Sequence, residues 1–234
     1  MPCVRNEKTL KKCTKDSTEN LKSLTDIITN YQETCSEEAY EAKRAINPND
    51  KDLCRFMYYD LNGVLEMKDQ GIKEIISRCI CNRNRHQYCI SNEAVNTATE
   101  KLMDAKSLYP YSSHINKDFE FLYDKLKGII GTVKGIGNST LYDACIRLGW
   151  SYSPQIKPQH YVYVHRKLIK SAEAILGDKF SRIKETDRPA ILRKKFIEAK
   201  KEFAELSALD IENLLCIYHK EILTIQGFTP MKKA

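Results

Sequence analysis

The stretch GIIGTVKGIGNSTLYDACIRLG, residues 128–149, decides how this chain reads. Apolar residues lead into it at helical steps: Phe119, Leu122, Leu126, Ile129 and Val133. Lys134-Gly135-Ile136-Gly137 then interrupts the pattern. Leu141, Ala144, Cys145 and Leu148 resume helical spacing, and Gly149 is the expected stop. The expectation is two helices joined by a tight turn. Gly135 and Gly137 admit positive φ, so the backbone can reverse within three residues. They also remove side chains that would hold a phosphate away. Ile136 is expected to tuck inward and lock the turn. Asn138 or Ser139, with Thr140 following, is the expected cap of the second helix. The first turn of that helix presents N–H groups and the positive end of a dipole, and both suit a phosphate oxygen.

Working outward, helix periods dominate. Leu21, Leu24, Ile28 and Tyr31 define one face, with Asp16 or Ser17 as a possible cap. Ser36 to Ile46 reads as a second helix, ended by the turn signal Asn47-Pro48-Asn49-Asp50. Leu53 to Ile76 reads as one long helix or two shorter ones, with Gly63 and Gly71 weakening the single helix by about 1 kcal/mol each. Val95, Ala98, Leu102 and Ala105 follow, behind Ser91 or Asn92. Residues 109–117, Tyr-Pro-Tyr-Ser-Ser-His-Ile-Asn-Lys, read as a linker between a helical module, 1–108, and a second module, 118–234. In the latter a basic helix is expected from His160 to Leu176, stopped by Gly177. Tyr161 to Val164 could be a strand, but helix is preferred. Leu192, Phe196, Ala199, Phe203 and Leu206 form a heptad-like stripe expected on one long charged helix. Ser207 and Asp210 have capping-box spacing. The fold class is therefore all-α and multi-helix, with no strand expected.

The chain has 234 residues and a formal net charge of +7. Residues 1–108 carry 17 basic and 17 acidic residues, and residues 109–234 carry 21 and 14. The excess therefore surrounds the turn, and a polyanion is the natural partner. No run reaches the roughly 18–20 apolar residues of a membrane span, and the N-terminus has no signal-peptide core. A cytoplasmic protein with reduced thiols is the expectation for the nine cysteines.

The pattern from Phe119 to Gly149 resembles the helix-hairpin-helix motif of nucleic-acid-binding proteins. The resemblance covers that segment and not the rest of the chain. It implies contact with phosphates of the minor groove and little reading of sequence. Lys134, Gly135, Ile136, Gly137, Asn138, Ser139, Thr140 and Arg147 would form that contact, with Lys125 and Lys127 nearby. Glycosylases with this motif place an Asp about twenty residues past the hairpin, and some add a Lys two residues after its second Gly. Here the Lys position is Ser139, and no acid lies between Asp143 and Glu173. Base excision is disfavoured, and a non-enzymatic role is the expectation.

His165, Arg166, Lys167 and Lys170 could extend the phosphate-contacting surface, with Tyr161 and Tyr163 offered to bases. The bland alternative is an amphipathic helix with a wet basic face. Arg188, Arg193, Lys194, Lys195, Lys200 and Lys201, interspersed with acids, read as a solvated helix face. Cys79, Cys81, His86 and Cys89 have the right chemistry for zinc, but their spacing differs from a zinc knuckle. No metal is expected, and core packing of some cysteines is preferred. The leading expectation is a DNA-binding protein without sequence specificity. The N-terminal helices would recruit a protein partner or a second copy. A helical protein–protein adaptor with a purely structural hairpin, or a nucleic-acid enzyme with an unrecognised site, are the alternatives.

Overall fold

The computed structural model describes residues 21–48, 57–66, 72–81, 90–105, 108, 118–165, 167–182 and 189–225. The chain is mostly helical. In order it forms α1 (Leu24–Thr34), α2 (Glu37–Ile46), α3 (Met57–Leu65), α4 (Ile72–Cys81), α5 (Asn92–Asp104), α6 (Phe119–Ile130) and α7 (Asn138–Ser151). Then come β1 (Tyr161–Tyr163), α8 (Lys167–Leu176), β2 (Ala190–Leu192), α9 (Arg193–Ala199), α10 (Ala208–Ile217) and α11 (His219–Thr224). Serines cap most of the early helices. Ser23 and Asp26 form a capping box on α1, and Ser36 and Ser91 cap α2 and α5. The candidate caps Asp16 and Ser17 lie outside the described residues.

α7 is the pivot. Every residue from Thr140 to Ser151 is buried except Asp143, which is half-buried. A helix buried on all sides lies in the middle of a core, and α3, α4 and α6 pack around this one. Gly149 does not end α7. It sits inside the helix, where a Cβ would stand 2.3 Å from the carbonyl oxygen of Ile156. The Ile156 N–H donates to the Gly149 carbonyl at 2.9 Å. The glycine is there so that the returning loop can lie against the helix. Beyond Ile156, Lys157 bonds Glu37 at 2.9 and 3.0 Å and covers the Trp150 ring at 4.1 Å.

Two cores are built. The first takes side chains from α2 to α7. The second takes Leu24, Ile27, Ile28 and Tyr31 of α1 together with α8 to α11. Neither core respects a boundary at 109–117, residues that lie outside the described set. α6 and α7 complete the first core, and α1 enters the second.

The expectation of helix at 161–164 is corrected. β1 pairs antiparallel with β2, Val162 opposite Ile191 and Tyr163 opposite Ala190. Side chains alternate across a strand, and here the alternation separates the cores. Val162 and Ile191 enter the second, while Tyr163 and Ala190 enter the first. A ribbon buried on both faces has no polar face, so its period was hidden.

The long helix expected over Leu192–Leu206 is also corrected. β2 ends at Leu192, α9 spans seven residues, and Lys200 is extended at φ −152° and ψ 115°. A 3-10 helix, Lys201–Glu205, follows. The Arg193 guanidinium donates to the carbonyls of Leu206 at 2.8 Å and Ala204 at 2.7 Å, folding the segment back on itself. Phe196 and Phe203 then meet edge to face, ring centroids 5.6 Å apart. The capping box of Ser207 and Asp210 on α10 forms as expected.

Candidate functional site

The turn between α6 and α7 is short and internally bonded. The Val133 N–H donates to the Ile130 carbonyl, and the Ile136 N–H to the Val133 carbonyl, both at 3.0 Å. Val133 and Ile136 are buried and fasten the turn to the first core. Gly135 has φ +98°, which L side chains rarely adopt, and its missing Cβ would lie 3.4 Å from that of Ala94 on α5. Gly137 is different. Its φ is −97° and a Cβ there would meet nothing within 4 Å.

Gly137, rather than Asn138 or Ser139, is the N-cap of α7. The helix starts one residue earlier than expected, with Gly137 in the extended cap conformation, ψ 174°. Consequently no side-chain oxygen accepts from the first turn, and no acid lies in it. By contrast α1, α2, α5, α6 and α10 each have both a side-chain cap and an acid in the first turn. The first intrahelical bond of α7 runs from the Leu141 N–H to the Gly137 carbonyl, 2.9 Å. The N–H groups before Leu141 stand at the positive end of a 14-residue dipole.

The residues read as a site divide when placed in space. Lys134, Gly135, Gly137 and Asn138 are exposed and Ser139 is half-exposed, grouped on one turn. Thr140 is buried, so it packs rather than contacts. Arg147 is corrected most sharply. It is 2% exposed, its Nε donates to Asp60 Oδ2 at 2.8 Å, and its Nη1 donates to the Cys79 carbonyl at 3.2 Å. It ties α7 to α3 and α4 and cannot reach a phosphate. His165 is half-buried, its ring 6.2 Å from that of Tyr142. Tyr163 is buried in the same aromatic group, stacked on Tyr142 at 4.9 Å. Lys170 is exposed on α8, which rests on the second core. Arg166 and the Lys167 side chain lie outside the described residues.

The charge excess narrows accordingly. Arg147 and Lys157 are held by Asp60 and Glu37. Lys195 faces Glu198 at 3.8 Å and Lys200 faces Glu202 at 3.7 Å. Lys125, Lys127 and Lys134 remain exposed on α6 and the turn. Of the cysteine cluster, Cys79 is buried in the first core. The Cys81 side chain, His86 and Cys89 lie outside the described residues. Among the described residues no group of three ligands could hold a metal ion.

Two features escaped sequence reading. Phe121 stands off the buried stripe of α6 and is exposed, with Lys125 Nζ 5.3 Å from its ring centroid. Its place off the three–four period was the available signal. The second is a buried polar junction. Asp210 Oδ1 accepts from the hydroxyls of Tyr31 at 2.9 Å and Tyr58 at 2.7 Å. Burial first, and then the Asp210 carboxylate, push both phenols well above their ordinary range, with Tyr58 adding to the rise at Tyr31. Asp210 thus joins α1, α3 and α10.

Compared with protein-family models, curated proteins and solved structures, the chain finds no match. No helix among the described residues is long and apolar enough to cross a membrane.

Proposed function

We propose that this chain binds the phosphate backbone of DNA, without reading sequence, at the Lys134–Ser139 turn. The observation that carries the reading is the N-terminus of α7. Among the described helix starts it is the one that combines an open glycine cap, no acid in its first turn and an exposed lysine beside it. Anions bind such termini because N–H groups and dipole act together. The resemblance of residues 119–149 to helix-hairpin-helix proteins points the same way. The heptad-like stripe no longer speaks for the adaptor reading, because Phe196, Phe203 and Leu206 are buried inside the second core.

The test is fluorescence anisotropy of a labelled duplex against salt. Affinity should fall log-linearly, with a slope near −0.9 per phosphate neutralised. Lys134→Ala should reduce that slope by about 1. Gly137→Leu should abolish binding while leaving the circular dichroism and the emission of Trp150, the chain's single tryptophan, unchanged. The space at Gly137 is open, so the variant blocks the helix terminus without disturbing packing. A wild-type protein that ignores duplex, single strand and RNA at low salt overturns the proposal.

A further inference from the structure

We infer that the site takes an unpaired DNA strand, which leaves the turn along α6 and stacks a base on Phe121; this rests on the backbone-binding reading above.

The three exposed large apolar side chains of the described residues are Ile46, Phe121 and Ile169, and Phe121 is the aromatic among them. It stands on the same helix that delivers the chain into the turn. At 3.6 residues per turn, Phe121, Lys125 and Gly128 lie within about 60° of one another on α6. They form one strip. Lys125 sits over one face of the ring at 5.3 Å, so a base is expected on the opposite face, with the cation close enough to meet the phosphate that follows it. Gly128 keeps the strip open toward the turn, since a Cβ there would meet nothing within 4 Å. Thr132 and Lys134 continue the exposed surface. Asp124, on the flank of the strip, is already engaged by the protein.

The spacing suits a strand. From Phe121 to Gly131 the helix rises about 15 Å, the length of roughly four stacked nucleotides at 3.4 Å each. A base inside a duplex has a neighbour on both faces and offers none to a phenyl ring. Only an unpaired or terminal base can stack there, so Phe121 selects single strand where the turn alone selects phosphate.

The test compares a labelled single strand with its duplex, using wild type, Phe121→Ala and Phe121→Trp. Phe121→Ala should lower the single-strand to duplex affinity ratio by roughly tenfold. Phe121→Trp should restore it, and the added tryptophan should be quenched by single strand but not by duplex. An unchanged ratio in Phe121→Ala with intact duplex binding overturns this inference and leaves the backbone-binding proposal standing. If Phe121→Ala instead changes sedimentation of the free protein, the ring is a contact between copies and the inference is wrong. If wild type binds neither nucleic acid, both proposals fall.

Discussion

At the scale of single residues, Arg147 shows how charge misleads when read along a chain. Its spacing in α7 places it beside the turn in sequence, yet it points into the first core and is held by Asp60 and the Cys79 carbonyl. Removing one partner of a buried pair leaves the other charge uncompensated, at a cost of about 3–5 kcal/mol. Arg147→Met should therefore lower Tm by on the order of 10 °C, at about 2–4 °C per kcal/mol for a chain of this size. The Arg147→Met, Asp60→Leu double variant should recover most of the loss. Unchanged thermal stability in the single variant would contradict the buried pairing. The residues of the turn were legible, by contrast, because Gly135 and Ile136 answer to local rules of φ and of apolar burial. Arg147 answers to α3, more than eighty residues away in sequence, and no local rule sees that far.

Elements were legible wherever one face was apolar and the other wet. The period of α6, the serines of α2 and α5, and the box at Ser207 all have this form. Each failure has its own tertiary cause. β1 and β2 are apolar on both sides because a core lies on each, and α9 breaks because Arg193 reaches carbonyls eleven and thirteen residues on. Gly149 separates the two kinds of argument. Helix propensity alone makes Gly149→Ala stabilising by about 1 kcal/mol. The loop carbonyl 2.3 Å from the missing Cβ makes it destabilising instead, by about 1–3 kcal/mol as for other overpacked sites. Chemical denaturation decides between them, and a higher midpoint in the alanine variant would refute the close approach of the loop.

Across the whole molecule the two cores meet at a wall made of the β1–β2 ribbon and α10. Glu212 of α10 is buried there, and burial, with the charge of Asp143 on α7 added, holds its carboxyl well above the usual carboxylate range. Folded protein keeps this proton where unfolded chain has lost it, so the unfolded state binds fewer protons and stability falls as pH rises past about 4.5. Glu212→Gln should thus raise Tm at neutral pH and change it little near pH 4. Equal gains at both values would remove Glu212 from the account. The wall also orders events in time. Tyr31 and its acceptor Asp210 are 179 residues apart, so α1 emerges from the ribosome long before its seat exists. At 5–20 residues per second the wait is roughly 10–35 s. Throughout it, Ile27, Ile28 and Tyr31 have no second core to enter, and α1 of the nascent chain is left with an apolar face for a chaperone to cover.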